Sequence, residues 1–150
     1  MRKIFPDFNE EFEGKPLYET LLVPTRLYYK PIDRLLEEIE VSGIAHITGG
    51  GLIENVPRIL VDGLCATIDT SKIKIPSVML ELEKRGNIDR MEMFGTFNMG
   101  VGMVIVVDEK HAEKVLDLLV APYITGKFRE GQKKRFLIKN GAIPREKWVF

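Results

Sequence analysis

Three consecutive glycines, Gly49, Gly50 and Gly51, stand between the apolar run "SGIAHI" and the helical pattern "LIENVPRIL". Each glycine costs roughly 0.5–1 kcal/mol relative to alanine in regular structure, so the triplet marks a break that no strand or helix runs through. The order strand, glycine loop, helix aims backbone N–H groups at an anion, and a helix N-terminus adds a favourable dipole. Thr48 adds a hydroxyl donor, and His46 sits where the strand hands over to the loop. The spacing matches neither the dinucleotide fingerprint nor the P-loop. Pro57 also forfeits an N–H, so the following helix starts late or kinks. The residues alone leave two readings open: an anion site, or a tight turn packed against a neighbour.

Around this break, short apolar runs alternate with helical patterns of about ten residues, the mark of an α/β or α+β layered domain. "PIDRLLEEIE" carries Ile32, Leu35, Leu36 and Ile39 at helical spacing, with Pro31 at the first helical position. "GLCATID" reads as a buried strand, and "GVGMVIVVD" is the strongest strand signal. "IPSVMLELEKRGN" predicts a helix with Gly86 just past its end, and "DRMEMFGTF" a second, short one. "EKHAEKVLDLLV" predicts an amphipathic helix, and "YITGKFREGQKKRFLI" a hairpin around Gly131. "LYETLLVPTRLYYKP", split by Pro24, reads as strand or extended chain, and residues 1–16 as an irregular lead-in.

Length and charge narrow the function. The 150 residues suit one domain, or at most two small ones. Lys plus Arg equals Asp plus Glu at 22 each, which argues against a general nucleic-acid or anionic-membrane partner. No apolar stretch approaches the roughly 18 residues of a membrane span, and no signal peptide is visible, so the expectation is a cytoplasmic protein. One cysteine, Cys65, and two histidines offer no disulfide and no metal-ligand spacing. Cys65 is expected buried and inert, His111 solvated on a charged helix, and "KKR" at 133–135 a solvated face.

"GIAHITGGGLIENVPRIL", with "LLVPTRLYYKPI" before it and "MFGTFNMGVGMVIVV" after it, resembles the C-terminal domain of the aminoimidazole ribonucleotide synthetase family. These are the phosphoribosylformylglycinamidine cyclo-ligases of the PurM-like superfamily. The likeness runs from about Arg2 to about Val107, and the histidine-led "HITGGG" favours this branch over its aspartate-led relatives. The resemblance implies a mixed β-sheet with helices packed on it. It implies an ATP-dependent closure of formylglycinamidine ribonucleotide to aminoimidazole ribonucleotide in purine biosynthesis, with a phosphorylated ribonucleotide as substrate. ATP and Mg are implied to bind through an N-terminal domain that this sequence lacks, and none through this chain alone.

Residues 1–16 are then a lead-in from that missing domain, since "MRKIF" resembles the family's "LVRKIF". Residues 17–150 are the C-terminal-type domain, with a tail that departs from the family from about residue 121. The chain is expected to be a split-gene subunit, a diverged stand-alone protein or an excised piece. By itself it is expected to be inactive, needing a separate N-terminal-domain partner.

Residue by residue, the resemblance gives His46 a catalytic role beside the reacting phosphate, against a plain structural histidine. Thr48, Gly49, Gly50 and Gly51 are the phosphate contacts. Asn55 and Arg58 follow on the presumed helix, Arg58 either as a phosphate ligand or simply exposed. Thr25 and Arg26 line the groove or form a structural ion pair. Asn98 lines the groove or caps a turn, in "TFNMGVGM", where Met99 replaces the family's usual cysteine. No metal ligand is assigned.

Two further readings stand beside the enzymatic one: a non-catalytic phosphate- or nucleotide-binding module, and an oligomerisation domain. Because "LLVPTRLYY" and "TFNMGVGM" are too apolar to face water freely, the chain is expected to form a homodimer. Leu27, Tyr28, Tyr29, Phe97 and Met99 are expected near that contact.

Overall fold

A computed structural model describes residues 2–119, 126–130, 135–139 and 148–149. Its centre is a mixed six-stranded sheet. In chain order the strands are β3 (Val41–His46), β4 (Leu64–Asp69), β5 (Met103–Val107), β6 (Gly126–Glu130), β7 (Arg135–Lys139) and β8 (Trp148–Val149). Their spatial order is β3-β5-β8-β6-β4-β7, while β1 (Glu11–Phe12) and β2 (Lys15–Pro16) form a separate small hairpin. β3 and β5 are antiparallel, with Ala45 opposite Val104, Ile44 opposite Ile105 and His46 opposite Met103.

Why the sheet needs helices on both faces is written in β5. Successive strand residues point to opposite faces, and all of Val104, Ile105, Val106 and Val107 are buried. Val104 and Val106 join one core with Ala45, Ile47, Leu52, Val56, Leu82, Phe94 and Met99. That core is closed by α3 (Gly51–Asn55), α4 (Ser77–Gly86) and α5 (Arg90–Thr96). Ile105 and Val107 join a second core with Leu35 and Ile39 at α2 (Tyr29–Glu38) and Ala112 and Val115 of α6 (Ala112–Leu118). Each fully buried Leu, Ile or Val contributes about 1.5–3 kcal/mol, so both layers are held firmly. The expected α/β class, a mixed sheet with helices packed on it, is what the chain adopts.

Four expectations change. "LYETL" is a helix, α1 (Leu17–Leu21), because Leu17 and Leu21 at i and i+4 both pack on the first core. The stretch after it, 23–28, is extended but pairs with no strand. α2 begins at Tyr29, so Pro31 is its third residue; the first turn has no use for its N–H anyway. Gly86 is the last residue of α4, and Asn87, at φ 46°, takes the left-handed cap. β6 and β7 do not form a hairpin with each other: β4 lies between them, antiparallel to β6 and parallel to β7. Gly131 lies outside the described residues, as do Lys133 and Lys134, while Arg135 opens β7.

The lead-in is better tied than expected. Phe5 is fully buried in the first core, and Arg85 of α4 lies over its ring, 5.0 Å from the centroid. Arg85 also binds Glu10 at 2.6 Å and Glu81 at 2.7 Å. Cys65 is buried, as expected. His111 is half-buried, in a short 3-10 turn before α6 rather than on its outer face. No helix among the described residues is long and apolar enough to cross a membrane.

Candidate functional site

The glycine loop turns on two of its three glycines. Gly50 has φ 88° and Gly51 φ 55°, the left-handed region that other residues rarely enter. Gly51 is also pressed against the end of α5. A Cβ there would collide with the Phe94 carbonyl and lie 2.6 Å from the Phe97 carbonyl. The Gly51 N–H donates to the Thr48 carbonyl at 3.0 Å, closing the turn. Gly49 differs: its φ is not left-handed, and a Cβ there would meet nothing within 4 Å. The fold does not require a glycine at 49.

Asn55 fastens this loop from inside. It is buried, and its side-chain amide donates to the carbonyls of Gly49 (3.1 Å) and Gly51 (2.8 Å). Its Oδ1 accepts from Arg58 Nη1 at 3.3 Å. Arg58 is exposed and stands 3.9 Å from Glu54, an ion pair too open to water to add much stability. α3 lasts five residues and passes into a 3-10 turn, Val56–Ile59, at Pro57. The expected late start does not occur, since α3 begins at Gly51, and Pro57 instead marks the change to a 3-10 turn; the commitment of Asn55 to the loop was not foreseen.

His46 ends β3 and is exposed. Paired with Met103, its side chain shares the sheet face of Ile105 and Val107, the face covered by α2 and α6. The Tyr28 ring meets the imidazole edge-on, with centroids 5.8 Å apart at 62°. The next residue, Ile47, donates to the Gly102 carbonyl at 2.9 Å, which ties the glycine loop to the start of β5.

Asn98 forms the turn between α5 and β5: its Oδ1 accepts from the Gly100 N–H at 3.1 Å and its carbonyl from Val101 at 2.9 Å. Met99 has φ 50° and is fully buried, so it cannot face a partner as expected. Thr25 and Arg26 are exposed in the extended stretch before α2. Leu27 and Tyr29 are exposed as well, at 89% and 75%. Beside Tyr28 lies a shallow apolar hollow of about 210 Å³, lined by Tyr28, Tyr29, Ile32, Asp33, Leu36 and Met103.

Contacts of Tyr28 with Gly102 and His46, and of Ile47 with Gly102, bring Tyr28, the start of the glycine loop and the start of β5 to one end of the β3–β5 pair. Arg58 stays with Glu54 and Asn55. Among the described residues no three His, Cys, Asp or Glu side chains converge to hold a metal ion. Tyr28 is the residue that the site reasoning missed. Its only trace in the sequence is Gly102, whose missing side chain makes room for it.

A layered α/β domain that gathers a glycine loop, a strand-end histidine and an asparagine turn at one sheet end is the class defined here. The model of the family described as "AIR synthase related protein, C-terminal domain" matches residues 2–139, and the chain belongs to that family. A phosphoribosylformylglycinamidine cyclo-ligase of Finegoldia magna is 51% identical over 111 residues, covering 74% of this chain and 33% of the relative. One of Streptococcus pneumoniae (strain Hungary19A-6) is 45% identical over 145 residues, covering 93% of this chain and 43% of the relative. The chain therefore spans less than half the length of these relatives.

Proposed function

We propose that this chain supplies the substrate-side wall of an ATP-dependent cyclo-ligase, closing formylglycinamidine ribonucleotide to aminoimidazole ribonucleotide together with a separate ATP-binding domain. The observation that carries the reading is Gly49. Gly50 and Gly51 are explained by backbone conformation and by the press of α5, but Gly49 has open space where its side chain would be. A glycine that the fold does not need lets a ligand approach the backbone closely. The Gly51 amide is already given to Thr48. The amides of Gly49 and Gly50 and the Thr48 hydroxyl are thus the donors proposed for a substrate phosphate. His46, exposed at the adjoining strand end, is the group proposed to handle the proton. Arg26 and Thr25, both exposed, are proposed as further substrate contacts. ATP and Mg are proposed to bind through the partner domain, and no step on this chain runs through them.

Binding and catalysis are tested separately. Inorganic phosphate or the ribonucleotide at one hundred times its Kd should stabilise the chain by about 2.7 kcal/mol, visible as a rise in Tm. Gly49→Val should abolish that rise while leaving the apo Tm unchanged, since its side chain meets open space. An undiminished rise in Gly49→Val sinks the loop as the phosphate site. Ring closure should require both this chain and an N-terminal domain cut from a full-length relative. Phosphate binding without turnover in that mixture would favour the second reading, a non-catalytic binding module.

A further inference from the structure

We infer that Tyr28 is a positioning residue that fixes the His46 imidazole, and that Gly102 is glycine in order to seat it. The inference rests on the reading of His46 as a site residue and adds what holds it. An exposed imidazole at a strand end otherwise moves among several staggered rotamers, and such wandering would blur any proton transfer. The ring contact that His46 makes is with Tyr28, at an angle and spacing within the favourable edge-to-face range for aromatic pairs.

Tyr28 is itself anchored at both ends. Its carbonyl accepts from the Ile32 N–H at 3.1 Å in the first turn of α2, and α2 is pinned to the second core by Leu35 and by Ile39 at its end. The phenol end reaches across the start of β5. A Cβ on Gly102 would collide with the Tyr28 hydroxyl and lie 2.6 Å from its Cζ, and the three nearest atoms to that position all belong to Tyr28. Gly102 is not in the left-handed region, so its backbone would accept alanine. Room for the tyrosine is what remains to explain the glycine. Gly102 admits Tyr28, and Tyr28 holds His46.

The test uses NMR of the full chain, whose two histidines, His46 and His111, give one reporter and one control. Tyr28→Leu and Gly102→Ala should both move the His46 ring signals toward those of a free imidazole and leave His111 unmoved. Tyr28→Phe, which keeps the ring, should stay close to wild type. Phosphate affinity should fall several-fold in Tyr28→Leu and recover in Tyr28→Phe. Unmoved His46 signals in Tyr28→Leu overturn the inference even if Gly102→Ala fails to fold. The underlying reading fails differently. His46 signals in wild type that ignore saturating phosphate would remove His46 from the site, whatever Tyr28 does to its ring.

Discussion

Two segments with the same apolar character meet opposite fates in this chain. In "TFNMGVGM", Met99 is fully buried and Val101 is 6% exposed; in "LLVPTRLYY", Leu22, Val23 and Leu27 are 73%, 65% and 89% exposed. Composition does not separate them, but backbone hydrogen bonding does. Residues 98–101 close a turn on Asn98, whose side chain and carbonyl take the Gly100 and Val101 N–H groups, and lead into β5. Residues 23–28 pair with no strand. Pro24 offers no donor, and the stretch crosses the surface between α1 and α2 with its apolar side chains outward. Burial of Met99 and Val101 goes with this closed, hydrogen-bonded turn, and the apolar residues of the unpaired stretch are left for something else to cover.

The sharpest way to break this contrast is at Met99. Met99→Ala should cost about 2–5 kcal/mol, the usual range for emptying a packed core position, read from denaturant unfolding. A loss below about 0.5 kcal/mol, the size of an ordinary surface change, would mean that the turn is not packed as described. Next in size is Asn55→Ala. It strips the Gly49 and Gly51 carbonyls of their buried donor and should cost about 1–3 kcal/mol. Asn55→Asp should be no better, because a carboxylate has no N–H to give. Equal stability of wild type and Asn55→Ala would show that the loop stands without its internal clamp.

The exposed arm of the comparison predicts the reverse pattern. Leu27→Ser should change stability by no more than about 0.5 kcal/mol. We propose that the 22–29 surface mediates self-association, most simply as a twofold dimer. Leu27→Ser should then weaken that dimer at least about tenfold, equivalent to about 1.4 kcal/mol, in analytical ultracentrifugation. An N-terminal domain from a relative should compete for the same surface. A wild-type chain that stays monomeric at high concentration would reject the dimer, and competition without dimerisation would assign the surface to the domain alone.

How much of this was legible beforehand depended on the range of the interaction involved. The strand–loop–helix order around Gly49, a break in the helix at Pro57 and the buried run of β4 follow from neighbours in sequence and were readable, although the helix starts at Gly51 rather than late. The five-residue α1 was not, since so short a helix draws its stability from packing rather than from propensity. Nor was the place of β6 and β7 on either side of β4, because strand pairing is decided by distant partners. At the site, His46, Thr48 and the glycines were visible as a motif. The contacts of Asn55 with the loop, and of Tyr28 with Gly102 and His46, involve side-chain directions that only the folded sheet reveals.

The smallest effect concerns the lead-in, a third stretch whose burial is neither in the sheet nor left open. The hydrogen bond from Arg85 holds the Glu81 carboxyl below its ordinary value of 4.5, with the guanidinium charge adding to it. Arg85 is held above its own ordinary range, by Glu81 first and then by Glu10. A depressed carboxylate contributes stability that is fully present above its unfolded value and is lost as pH falls through the lower folded one. Arg85 stays charged throughout that window, so the sign is set by Glu81. These groups are open to solvent, and the effect should be modest and weakened by salt. Arg85→Ala should lower Tm slightly at neutral pH and speed amide exchange around Phe5, whose ring Arg85 covers. The Tm gap between wild type and Arg85→Ala should narrow as pH drops below 4.5. A gap that stays constant through that range would assign the whole effect to the guanidinium packed over Phe5, and none to its pairing with Glu81.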